Sequence, residues 1–180
     1  MTSSGAKGEK LTSLLRLIKR DRGELHLKEG MRLADAKEWS AAVEELQLAL
    51  YEFEEIEDGA RMSAVLAALA LCRFGQGDLE GAEVDSRRSI EAMRQGGDRE
   101  GEATAILGLG YVLLARGEYS KAQEVFHEAL SLFRAESLWE GVTRSYLGLE
   151  RALRANGQEE EADEARAKAE DARRRLAHGI

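Results

Sequence analysis

Three histidines, one cysteine and several runs of carboxylates are the side chains of this 180-residue sequence to test first for catalysis or metal binding. His127 lies in the segment EVFHE, so Glu124 and His127 stand three residues apart and share a face if the segment is helical. Carboxylate-bridged di-iron bundles use two such Glu-x-x-His pairs and two further glutamates, and this chain has one pair. The pair therefore reads as solvated helix surface. His26 falls in an apolar helical stretch and reads as part of a helix–helix contact rather than as a base. Cys72 has no histidine near it in sequence, and a reactive thiol needs an activating base or dipole; it reads as a buried structural cysteine. Gly75, Gly77 and Gly81, and again Gly108 and Gly110, have tight spacings. A dinucleotide loop, however, follows a strand, and the flanks here are helical. The acidic runs Glu52, Glu54, Glu55, Glu57, Asp58 and Glu159, Glu160, Glu161 lack the alternation around glycine of a calcium loop. The sequence thus offers no catalytic residue, no cofactor site and no metal site, and the expectation is a protein that is not an enzyme.

Composition sets the elements. Hydrophobic residues make up 43% and charged residues 33%, enough for a core with a wet surface. There is no proline, so no helix has a forced interior break. The net charge of −8 opposes a nucleic-acid footprint, which needs a basic face. The N-terminal stretch MTSSGAKGEK is polar, and the longest apolar run, Ala64 to Cys72, is too short to span a bilayer. The expectation is a cytoplasmic protein with no membrane span.

Four segments align without gaps at a spacing of 40 residues, beginning at Asp35, Gly75, Ala115 and Ala155. The aligned alanines are Ala42, Ala82, Ala122 and Ala162. Gly77, Gly117 and Gly157 precede three of them by five residues, and Lys37 takes that place in the first copy. Upstream of Gly117, Ile106, Leu109, Gly110 and Leu113 have helical spacing; downstream, Ala122, Val125, Phe126, Ala129, Leu130 and Phe133 do the same. Each copy therefore reads as helix, tight turn, helix, with glycine supplying the positive φ that a helix C-terminus favours. A small residue at the repeated alanine lets the two helices approach.

The Gly117, Tyr119, Ala122, Phe126, Ala129 pattern resembles the tetratricopeptide repeat, in the longer 40-residue variant of Pins/LGN-type adaptors and bacterial regulators. The resemblance covers about residues 23–176. The family's tryptophan slot is held by His26, Leu66, Ile106 and Tyr146, and its closing proline is absent. The implied fold is all-α: a right-handed superhelix of tandem helix-turn-helix hairpins, with an N-terminal amphipathic helix and a polar C-terminal capping helix. The expected domains are a basic amphipathic segment over 1–22 and one array over 23–177, with repeats at about 23–62, 63–102, 103–142 and 143–177. Leu11, Leu14, Leu15 and Ile18 form the N-terminal stripe, which could cap the array, fill its groove or bind an outside surface. The last helix has only a thin stripe of Ala162, Ala165, Ala169, Ala172 and Leu176.

In such arrays the first helix of each hairpin lines the concave side. By that register the groove is Leu27 and Met31, then Ala67, Leu71 and Phe74, then Leu107, Tyr111 and Leu114, and last Arg144, Leu147, Arg151 and Arg154. Two alternatives stand beside it: a register shifted by one would put the apolar residues in the core, and the arginines could pair with Glu150 and the following helix. The implied function is an adaptor or scaffold that holds a protein or peptide client, the arginines suiting an acidic group. A self-assembling structural protein, or a regulatory or chaperone subunit of an enzyme, is the alternative. Homo-oligomerisation stays open.

Overall fold

The turns recur every 20 residues and cut the chain from residue 39 onward into helices of 16 to 20 residues. Positive φ is found at Lys37, Glu57, Gly77, Gly97, Gly117, Ser137 and Gly157, seven positions evenly spaced. At Gly77 (φ 83°) the turn closes as a left-handed cap: its N–H donates to the Phe74 carbonyl and the Asp78 N–H to the Arg73 carbonyl at 2.9 Å. The next helix starts at once. Asp58, Asp78 and Asp98, again 20 apart, cap three N-termini by accepting from the N–H groups of Arg61, Gly81 and Gly101.

The computed structural model describes the backbone of residues 3–178 and the side chains of 9–178. Its helices are α1 (Ser3–Asp35), α2 (Trp39–Glu54), α3 (Gly59–Gln76), α4 (Leu79–Gly96), α5 (Arg99–Ala115), α6 (Tyr119–Ala135), α7 (Trp139–Ala155) and α8 (Glu159–His178). No strand occurs among the described residues. Consecutive helices pack as four antiparallel hairpins that stack into a right-handed superhelix. Each first helix touches the next first helix, whereas no two second helices approach comparably. The first helices therefore form the inner rail. The second helices splay outside it and are bridged by long side chains such as Arg88 to Glu54 at 3.1 Å.

The repeated alanines Ala42, Ala82, Ala122 and Ala162 are fully buried, as a close helix contact requires. Phe126 is the centre of the third and fourth hairpins. A Cβ built on Gly110 of α5 or on Gly148 of α7 would lie 2.5 and 2.4 Å from its ring, so both glycines make room for one side chain. The second hairpin differs. Its seam between α3 and α4 buries Asp85, Ser86 and Ser89, and Ser86 stands where Leu46 and Phe126 fill the first and third hairpins. There the Arg73 guanidinium sits 2.9 Å from the Asp85 carboxylate, and burial pushes the Asp85 carboxyl above its usual pKa despite that partner.

The expected boundary at residue 22 is not a break. α1 runs unbroken for 33 residues, twice the length of α2, and Gly23 lies inside it. That glycine admits the ring of Phe53, 2.7 Å from where its Cβ would be, rather than ending a helix. The N-terminal part of α1 thus projects past the end of α2. Leu11, Leu14, Leu15 and Ile18 are exposed there, so the stripe neither caps the hairpin nor enters the groove.

Candidate partner-binding groove

Along the inner rail, the faces that the second helices leave uncovered are open to solvent. On α1, Met31 is exposed and Leu27 half-buried. On α3, Leu71 is 61% and Phe74 37% exposed, with Ala67 half-buried beneath them. On α5, Tyr111 and Leu114 are half-buried. On α7, Arg144, Arg151 and Arg154 are exposed and Leu147 is half-buried. The seven-residue spacing of Arg144 and Arg151 keeps both on one face.

Leu107 is the exception and corrects the expected groove. It is 1% exposed and belongs to the core of the third and fourth hairpins, where α5 and α7 touch over a longer stretch than the other pairs of first helices. Its neighbour Gly108 is exposed, and a Cβ there would meet nothing within 4 Å. The floor beside Tyr111 is therefore recessed by a missing side chain.

Tyr111 joins the apolar half of the groove to its basic half. Its ring meets Phe126 edge-on, with centroids 5.2 Å apart, and its hydroxyl donates to the Arg144 carbonyl at 3.1 Å. Burial pushes the pKa of that hydroxyl up, and the positive charges of Arg151 and Arg144 oppose the shift. Both guanidinium groups thus lie near the phenol. Among the described residues neither makes an ion pair. Arg154 behaves differently: it reaches Glu150 at 3.3 Å, Glu159 at 3.6 Å and Asp163 at 3.0 Å, which ties it to α8. Sequence left pairing open for all three arginines; in the fold it claims only the one nearest the turn into α8.

Cys72 is buried, and burial pushes its thiol pKa up, away from the thiolate. His26 is half-buried with Nδ1 2.7 Å from Glu45, bracing α1 against α2. His127 is exposed. A concavity of about 690 Å³ that sequence reading missed lies among α6, α7 and α8. It forms because α8 fills little volume opposite Trp139 and Tyr146, over which Arg175 and Arg134 lie at 5.1 and 5.3 Å from the ring centroids. The signal was available in the alanine-rich stripe of the last helix.

Comparison with known proteins agrees with this architecture. The family described as "Tetratricopeptide repeat" matches residues 61–135, nearly all of the second hairpin and the whole of the third. No curated protein matches the sequence. Solved structures with the same fold include the apo form of RapI (TM-score 0.82, 17% identity), covering 88% of this chain and 58% of that one. BtubC (BKLC) from P. vanneervenii has a TM-score of 0.80 at 16% identity, covering 97% of this chain and 76% of that one. The Rap conjugation gene regulator of plasmid pLS20, in complex with the Phr* peptide, has a TM-score of 0.72 at 19% identity, covering 88% and 43%. The chain thus spans less than two thirds of the length of the two Rap structures.

Proposed function

We propose that this tetratricopeptide-repeat protein is an adaptor that holds a peptide or helix of a client protein along the inner face of α3, α5 and α7. The observation that carries the reading is the juxtaposition at Tyr111. An apolar seat of Leu71 and Phe74 lies on one side of it, and Arg144 and Arg151, which make no ion pair among the described residues, lie on the other. Exposed apolar side chains gathered on one face are costly to leave in water and mark binding surfaces. An amphipathic helix or extended segment ending in an acidic group matches both halves. The Rap regulator solved with a peptide shares the fold, which supports a peptide as a class of client.

The apolar seat supplies most of the affinity in this reading, and the arginines guide approach. Phe74→Ala lowers affinity at any ionic strength, since an anchor cut to alanine commonly costs about 2 kcal/mol or more. Arg151→Glu weakens binding chiefly at low salt, where the Debye length exceeds about 10 Å. Proteins captured from native lysate by the wild type and lost by Phe74→Ala are identified by mass spectrometry, and their affinities are then measured at two salt concentrations. A client that binds folded Phe74→Ala as tightly as wild type rejects the groove.

A further inference from the structure

The other unpartnered surface is the N-terminal edge of the array. Leu11, Leu14, Leu15, Ile18 and Leu25 of α1 are between 46% and 66% exposed, and Leu48 and Tyr51 of α2 are exposed on the same hairpin. The repeat explains the position of Leu25. Forty, eighty and one hundred and twenty residues later stand Val65, Ala105 and Ser145, all buried because a preceding hairpin stacks on them. Leu48 likewise occupies the place of Arg88 and Glu128, which reach across to the neighbouring second helices. The edge therefore has the side chains of a stacking face and nothing stacked on it.

We propose that this edge docks on the same edge of a second copy of the chain, α1 running antiparallel to its counterpart about a two-fold axis at Ile18. The spacing is symmetric about that residue: Leu11 lies seven residues before it and Leu25 seven after, so a two-fold places Leu11 against Leu25 of the partner and Ile18 against its own copy. Charge selects the same arrangement. Residues 1–22 carry six basic and two acidic side chains, whereas residues 38–58 carry eight acidic and none that is basic. Within one chain Lys19 already meets Glu55 at 2.8 Å and Arg22 meets Glu52 at 2.8 Å, at the root of the projection. Antiparallel docking extends this pairing. The projecting part of each α1, with Lys10 and Arg16, runs over the acidic first hairpin of the other copy. An anionic bilayer fits less well, because Leu48 and Tyr51 lie among the exposed carboxylates Glu44, Glu54 and Glu55, which lipid phosphates repel.

The test is the mass of the full chain in solution by light scattering over about a hundredfold range of concentration, because a dimer obeys mass action. Mass rising from 19.9 kDa to twice that value is expected. Ile18→Glu, and independently Leu14→Arg, stay at the monomer mass with unchanged helix content, and melt as the wild type does at dilutions where it too is monomeric, since both positions face water in the single chain. Oxidising a mixture of the Leu11→Cys and Leu25→Cys proteins joins one to the other, while Leu11→Cys alone does not self-link; the native Cys72 is buried and does not compete. A wild type that stays monomeric throughout overturns the proposal, as does a dimer that survives both charge variants. Self-linking of Leu11→Cys overturns the antiparallel axis. A monomer that instead co-sediments with phosphatidylserine vesicles, and loses this with Ile18→Glu, assigns the edge to lipid and sinks the second copy. Groove binding is read separately, so either proposal fails without the other.

Discussion

The two ends of the array are finished in opposite ways. At the C-terminal end, the positions of α6 that receive the next hairpin are Phe126, Leu130 and Phe133, all buried. Forty residues on, α8 places Arg166, Glu170 and Arg173 there, all exposed. Charge at these positions makes stacking of another hairpin unfavourable and lets the end rest in water, as a capping helix does. At the N-terminal end no such exchange has taken place: Leu25 keeps the apolar character of its buried counterparts Val65 and Ala105, and α1 carries the stripe on to Leu11. One end is closed by side-chain chemistry, and the other is left ready to be covered. A repeat array therefore need not be symmetric in purpose, even when its sequence period is regular.

The largest effect that probes this contrast comes from cutting the chain after Gln158. Without α8, the faces of Tyr146, Leu149 and Leu153 that it covers open to water, and exposing a single large apolar side chain costs about 1.5–3 kcal/mol. We expect the fourth hairpin to unravel, seen as a fall in melting temperature with lost helical ellipticity; a truncated chain as stable as the parent would mean that α8 is not a cap.

Next in size is Phe126→Ala, expected to cost about 3–5 kcal/mol in chemical denaturation, because the ring is packed by two glycines that cannot fill the void. Arg166→Ala, at the matching position of α8, should leave the midpoint unchanged. Equal losses at the two sites would dissolve the distinction between a stacking face and a capping face.

A smaller effect is expected at the N-terminal edge itself. The Glu52 side chain is only 4% exposed and relies on Arg22, which is 61% exposed. Arg22→Ala leaves that carboxylate buried without its counter-charge. Water takes over part of the role, so the loss should be about 1 kcal/mol, and Glu52→Gln combined with it should restore most of the stability. A double variant no better than Arg22→Ala would show that the pair is not what holds α1 to α2 there.

The smallest effect is the removal of residues 1–17, which ends before Lys19 and Arg22. Their described side chains are exposed, so we expect the unfolding midpoint of the isolated chain to be unchanged. A marked loss would show that the projection packs on its own hairpin, and would erase the difference between the two ends.

Much of this was legible before any coordinates. The 40-residue spacing of Ala42, Ala82, Ala122 and Ala162 located the hairpins, because only a small residue fits where two helices nearly touch. The exposure of Leu71, Phe74 and Arg151 follows from the same periodicity. What failed did so for local reasons. Leu107 has the same register as Ala67 and Leu147, yet it is drawn inward where α5 and α7 touch over a longer stretch. Gly23 looked like a boundary, but it is a notch for Phe53 in an unbroken helix. Arg154 looked like its neighbours Arg144 and Arg151 but lies within reach of three carboxylates.

The sequence alone determined that the chain is helical and repeats every 40 residues as helix, turn, helix, because these depend on local spacing, glycine and the pattern of apolar residues along one segment. Only the tertiary structure decided which exposed-looking residues are covered, which arginines are already paired, and that the N-terminal stripe projects beyond its hairpin. Those outcomes depend on how far apart two helices lie in space, a quantity to which a residue's position in its own helix contributes only half.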